Sequence, residues 1–239
     1  MPDAPENSLK AFRYAVDHHY GAELDVRLLA DGNLGILHDS ALSRTTGRPG
    51  ILENLREEDL KNYHLQGSAE TIPTLKQVLD LVDGKVPLII ELKPYKGNVS
   101  KLCARVFQEL DGYDGVFCIE SFNPWVLFWM KKNRPDVVRG QLAKNYLRDL
   151  KVKLPVCRTA IATGLLTNFL TRPDFIAYRF EDRWSLCNAI CTRLLGIKGA
   201  SWTLHSAREL RKAREEGLWP IFENFDPATG KRFEDAVDT

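Results

Sequence analysis

The sequence predicts an α/β fold of the (β/α)₈ barrel type, lacking the first of its eight strands. Three observations lead there. Strand-like and helix-like stretches alternate along most of the chain, the pattern of a parallel sheet covered by helices. The strands are continuously apolar rather than alternating, as strands buried on both faces are. The chain's 239 residues match the usual size of one such barrel, yet its parallel strands number seven. The chain is read as a single domain over 1–239, closed by a short polar tail at 226–239.

The elements follow in order. Ser8–His18 places Leu9, Phe12, Ala15 and Val16 on one helical stripe, with Asn7 or Ser8 as cap. A strand follows at Ala22–Leu28. A turn at Asp31-Gly32 leads into a returning hairpin strand at Leu34–His38. After a polar excursion, Thr74–Val82 reads as a helix facing Leu75, Val78, Leu79 and Val82 inward. Strands at Pro87–Lys93, Val116–Ser121, Val138–Ala143, Phe175–Phe180, Ala200–Leu204 and Trp219–Glu223 then alternate with helices. Those helices are Val99–Leu110, Pro124–Asn133, one near Leu165–Leu170, Trp184–Leu195 and Ala207–Glu216. Because the chain opens on a helix, the natural place for an eighth strand is just before Asn7.

Composition narrows the class. Hydrophobic residues at 44% and charged residues at 27% set aside disordered and collagen-like chains. Lys and Arg (33) nearly cancel Asp and Glu (32), so no global charge points to nucleic acid or an anionic membrane as partner. The most apolar runs, Val86–Ile90 and Trp125–Met130, are too short for a transmembrane segment. Met1–Glu6 has neither the basic flank nor the apolar stretch of a signal peptide. Five cysteines without a Cys-x-x-Cys pair fit buried thiols and a reducing, cytoplasmic setting. Cys187 and Cys191 share a helix face as such thiols. Nothing in the sequence specifies an oligomeric state.

The chemistry gathers at strand ends. Glu23-Leu24-Asp25 puts two carboxylates on one face of a strand, where they repel each other unless a cation joins them. Arg27 continues that face and is an alternative partner. Glu91-Leu92-Lys93 repeats the spacing on the next barrel strand. A third carboxylate there would complete a set of hard oxygen ligands for Mg²⁺ or Ca²⁺. Lys93 offers a point charge to a phosphoryl oxygen, or simply pairs with Glu91. His38-Asp39 suits general acid–base work, or is a hydrogen-bonded turn. His18 and His19, at a helix C-terminus, read as structural.

In order, these motifs resemble those of the glycerophosphodiester phosphodiesterases. The resemblance rests on Ala4-Pro5-Glu6-Asn7-Ser8, Gly21-Ala22-Glu23-Leu24-Asp25-Val26, Asp31-Gly32, His38-Asp39 and Arg44-Thr45-Thr46-Gly47. It continues through Ile72-Pro73-Thr74-Leu75, Glu91-Leu92-Lys93, Ser121-Phe122-Asn123 and Trp202-Thr203. It implies a barrel with one divalent cation, Mg²⁺ or Ca²⁺, on Glu23, Asp25 and Glu91. It implies that Lys93 holds the substrate phosphate and that His38 is one of two catalytic histidines. Trp202 would wall the substrate pocket, and Glu120 would make a further polar contact or pack. The implied reaction hydrolyses a small-molecule glycerophosphodiester to an alcohol and glycerol 3-phosphate, by water or through a cyclic intermediate made by the substrate's own hydroxyl.

The family's first strand ends in His-Arg-Gly, before the Pro-Glu-Asn run, and carries the second histidine and a phosphate-contacting arginine. This sequence has neither. The expectation is therefore a misplaced start at Met1 or a fragment, with little or no activity. Three alternatives stay open: a non-catalytic metal- or phosphate-binding barrel, a glycosidase using paired carboxylates, and the lyase-like relatives of this fold.

Overall fold

The computed structural model describes residues 4–145 and 165–233. The chain divides into two compact units, 1–120 and 121–239.

The first unit opens with helix α1 (Leu9–Asp17), whose N-cap is Ser8: its side chain accepts from Ala11 N. Strand β1 (Ala22–Leu28) turns back into β2 (Leu34–Ile36), two residues shorter than expected. The turn places Gly32 at φ +88°, a conformation that favours glycine. Helix α2 (Leu75–Val82) buries the four apolar residues named from its period, and Thr74 and Gln77 cap its start reciprocally. Strands β3 (Leu88–Leu92) and β4 (Phe117–Ser121) flank helix α3 (Val99–Leu110). The sheet order is β2-β1-β3-β4, antiparallel at the hairpin and parallel elsewhere.

The stretch between Asp39 and Pro73 is more than a polar excursion. Leu42, Leu52, Leu60, Leu65 and Ile72 pack there with Leu29 and Leu37 as a separate apolar cluster. Their irregular spacing suits two short 3₁₀ turns, Leu52–Asn54 and Glu57–Asn62, rather than a periodic helix.

In the second unit, helix α4 (Pro124–Asn133) precedes four parallel strands in sequence order. They are β5 (Arg139–Ala143), β6 (Phe175–Arg179), β7 (Lys198–Leu204) and β8 (Trp219–Phe222). Gly140 is required in β5, because a side chain there would meet the Phe175 ring. The helix expected near Leu165–Leu170 is a single turn at Asn168–Thr171. The expected helix Trp184–Leu195 is shorter: α5 (Leu186–Ala189) widens into a π turn over Ile190–Leu194. Helix α6 (Ala207–Glu215) follows β7. Among the described residues, three strands of the first unit and four of the second pair in parallel, the seven counted from sequence. No helix among them is long and apolar enough to cross a membrane. Cys157 and residues 234–239 of the tail lie outside the described residues. The other four cysteines are free thiols, with Cys103 and Cys191 buried and Cys118 and Cys187 half-buried.

Candidate metal and catalytic site

Strand register builds the site. Asp25 of β1 sits opposite Glu91 of β3, and Glu91 opposite Glu120 of β4. Adjacent strands lie about 4.8 Å apart, so three carboxylates form one row across the sheet. Glu23, two residues before Asp25, adds a fourth on the same face. One carboxylate oxygen each of Glu23, Asp25 and Glu91 lies within 4.8 Å of the other two. Lys93 completes the cluster, its Nζ 2.9 Å from Glu91 Oε2 and 3.1 Å from Asp25 Oδ1.

Arg27 does not pair with Glu23 or Asp25, the alternative its face had suggested. Its guanidinium goes to Glu53 at 2.6 Å and donates to the carbonyls of Leu37 and His38. It thereby fixes the backbone that carries the histidine. Ser40 Oγ donates to the other Glu53 oxygen at 2.6 Å. The His38 ring, about half exposed, has Nδ1 2.6 Å from Asp39 Oδ1. An ionised carboxylate only accepts, so Nδ1 is the donor and the neutral ring presents its free lone pair on Nε2. Arg44 holds Asp39 from the other side and reaches Glu6.

Of the two cap candidates, Ser8 takes the cap and Asn7 turns to the site. Its Nδ2 donates to Asp25 Oδ2 at 2.7 Å and its Oδ1 accepts from Asp25 N at 3.2 Å. Its place in the Pro5-Glu6-Asn7 run was the available signal. His18 is structural as expected, its Nδ1 at 2.9 Å from Tyr14 O and its ring stacked on Tyr14. Trp202 belongs to the second unit, where its Nε1 donates to Ala177 O at 2.9 Å and its ring meets Phe122 edge-on.

Four enclosed carboxyls face one ammonium, and their titration reflects it. Burial, then the charges of Asp25, Glu91 and Glu120, push Glu23 well above the usual carboxylate range. Burial likewise lifts Glu91 to about 7, against the pull of Lys93. Glu120 is raised by burial and by Glu91 and Asp25, and its Oε2 has no hydrogen-bond partner. Burial also pushes Asp25 upward, but Lys93, His38 and the Asn7 hydrogen bond outweigh it and hold Asp25 low. Lys93 stays charged: burial lowers it, yet Glu91 and Asp25 raise it further. This donor set fits a hard divalent cation. The excess negative charge is buried, Asp25 Oδ1 has the Lys93 ammonium 3.1 Å away, and Glu120 Oε2 accepts no hydrogen bond.

A pH dependence follows. A carboxyl raised from 4.5 to about 7 favours the folded state below about pH 4.5, and that contribution is lost as pH rises through about 7. A divalent cation needs the ionised forms and stabilises the state it binds. Mg²⁺ or Ca²⁺ should therefore raise the melting temperature more at pH 8 than at pH 5.5. Asp25→Asn should abolish that rise while the chain stays folded. Equal gains at both pH values, or an undiminished gain in the variant, would take these carboxylates out of the ligand set.

Comparison with known proteins gives the family and the fold. The Glycerophosphoryl diester phosphodiesterase family matches residues 2–177. The chain is 34% identical over 152 residues to a glycerophosphodiester phosphodiesterase of Caldanaerobacter subterraneus subsp. tengcongensis, covering 59% of this chain and 62% of that protein. It spans 39% of a second such relative, from Bacillus altitudinis. It is 36% identical over 230 residues to YhdW of Bacillus subtilis strain 168, covering 90% of this chain and 87% of that one. Among solved structures, an Oleispira antarctica phosphodiesterase in complex with the product sn-glycerol-3-phosphate superimposes with a TM-score of 0.79 at 23% identity. That likeness covers 99% of this chain and 93% of the other, and gives the fold as a TIM-type barrel. With a family match over more than half its length, this chain belongs to the glycerophosphoryl diester phosphodiesterase family.

Proposed function

We propose that the protein hydrolyses glycerophosphodiesters to an alcohol and glycerol 3-phosphate with one divalent cation, Mg²⁺ or Ca²⁺, and that 1–239 acts as one barrel domain. The observation that carries this reading is the convergence of Glu23, Asp25 and Glu91 within 4.8 Å, beside Lys93. These three carboxylates would hold the cation, which supplies Lewis-acid polarisation of the phosphoryl group when bound.

The chain's own residues do the rest. Lys93 offers its ammonium to a phosphoryl oxygen, where charge grows as the ester bond breaks. His38, oriented through Nδ1 by Asp39, moves a proton at Nε2. It takes one from the attacking hydroxyl or gives one to the departing alkoxide, so that an O–H of the attacker and the P–O ester bond are exchanged for a new P–O bond and the alcohol. Asn7 holds Asp25 in its ligand orientation. Glu120 lies in the carboxylate row as a polar contact.

The test is release of glycerol 3-phosphate from glycerophosphocholine by the 239-residue chain, with Mg²⁺ or Ca²⁺ and with a chelator. Chelator-sensitive release is the expected result. Metal-induced stabilisation without any release would favour a binding protein. Activity on a glycoside that survives the chelator would favour paired-carboxylate glycosidase chemistry.

A further inference from the structure

Apolar exposure is unevenly distributed over this protein. Apart from Val116, every large hydrophobic residue that stands exposed among the described residues lies in the second unit. The densest group follows β6. Leu186 is 74% exposed, Ile190 40% and Leu194 77%, at four-residue intervals along one continuous helix. In an α-helix such a series drifts around the axis. The wider π turn over Ile190–Leu194 turns Leu194 back toward the same line. Trp184 and Leu195, just beyond the helix's two ends, are also exposed, at 58% and 64%.

The inward face of the same helix is already used. Cys191 packs with Ile176, Tyr178, Ala143 and Leu165. A helix that buries one apolar face and shows a second to water has an outer face shaped for another surface.

Charge selects that surface. From Arg183 to Arg208 the sequence contains no Asp or Glu, but four Arg and Lys, in a chain that is otherwise nearly balanced. A crevice of about 260 Å³ near the stripe is lined by Arg193, Lys198, Trp184 and the Arg183–Glu216 ion pair, which leaves two cations without a carboxylate of the lining opposite them. The Arg183 and Arg193 guanidinium groups lie 5.0 and 5.5 Å from the Trp184 ring. A symmetric dimer through this patch would set the basic rim of one copy against that of the other. A nucleic acid would meet the cations but leave the Leu and Ile stripe unused. An anionic lipid surface satisfies both, since acyl chains take the stripe and headgroup phosphates take the cations.

We infer that the helix Leu186–Leu194, with Trp184, Leu195, Arg193 and Lys198, is an interfacial docking surface for membranes that contain anionic phospholipid. It lies on rather than in the bilayer, and its binding does not depend on catalysis.

Vesicle co-sedimentation of the 239-residue protein tests it. The probes are phosphatidylcholine vesicles and vesicles of seven parts phosphatidylcholine to three parts phosphatidylglycerol. Binding to the mixed vesicles, weaker on phosphatidylcholine alone and reduced by about 0.5 M NaCl, is expected. Leu186→Ser with Leu194→Ser should lower binding to the mixed vesicles at least about tenfold, since both side chains leave the apolar phase. Arg193→Glu with Lys198→Glu should do likewise, at about fivefold or more for each residue. All four residues are exposed or rim positions, so an unchanged melting temperature verifies the folding of each variant. Absence of binding to the mixed vesicles overturns the inference. So does binding that the leucine pair leaves intact, or a self-association in sedimentation velocity that the leucine pair dissolves while vesicles stay unbound.

Discussion

Lys93→Met should destabilise the metal-free protein by about 3–5 kcal/mol at pH 8, a fall in melting temperature of roughly 6–20 °C. Lys93 is the cation at the centre of the carboxylate row, 11% exposed and within 3.1 Å of both Asp25 and Glu91. Removing it leaves ionised carboxylates buried without a counter-charge, which costs far more than the pair itself contributes. The size of the loss should depend on pH. Lys93 holds Asp25 below its ordinary range, so the Asp25 contribution to stability is present above about pH 4 and lost as pH falls through the lower folded value. Glu91, with its pKa near 7, is largely protonated at pH 5 and needs no counter-charge there. The defect should therefore shrink markedly between pH 8 and pH 5. Mg²⁺ or Ca²⁺ should recover more stability in the variant than in the parent, because the cation then meets an uncompensated cluster. Lys76→Met, which breaks a surface pair with Asp80, should change nothing measurable. A Lys93→Met protein that melts like its parent at pH 8 without metal would mean that the row is already protonated, and the electrostatic account of the site would fail.

The row itself could be read from the sequence because strands obey a period of two. Glu23-x-Asp25 and Glu91-x-Lys93 each announce a shared face, and two neighbouring parallel strands leave little freedom in how the faces meet. Helix α2 was legible for the same kind of reason, with four apolar residues in phase. What escaped were contacts that no period encodes. Asn7 reaches Asp25 across 18 residues and Arg27 reaches Glu53 across 26; in both cases a nearer role, a helix cap or a pairing along the same strand, was locally just as good. The leucines between Asp39 and Pro73 are spaced irregularly, so their cluster was hidden until 3₁₀ turns brought them together. The π turn at Ile190–Leu194 was equally invisible, since one widened turn leaves the residue pattern of an ordinary helix. Local geometry was written in the sequence, and the supports that hold it were written in the tertiary fold.

His38 is where those supports matter for chemistry. His38→Ala should lower kcat by roughly 10²–10⁴, the range for loss of a general acid or base, while leaving the metal-induced gain in melting temperature in place. The two readouts separate because His38 is outside the proposed ligand set of Glu23, Asp25 and Glu91. Its ring is about half exposed and its Nδ1 is committed to Asp39, so truncation deletes the proton carrier without opening the core. Asp39→Asn supplies the complementary measurement. Asp39 is held ionised by Arg44 and His38 against the upward push of burial, and as an acceptor it dictates which ring nitrogen carries the proton. An asparagine can donate as well as accept, so the ring loses its enforced tautomer. Part of the activity should go, with the pH profile altered and the fold and metal response unchanged. Loss of the metal response in His38→Ala would instead make the histidine a ligand or a brace for the carboxylates. A kcat within threefold of the parent would assign proton transfer to another group.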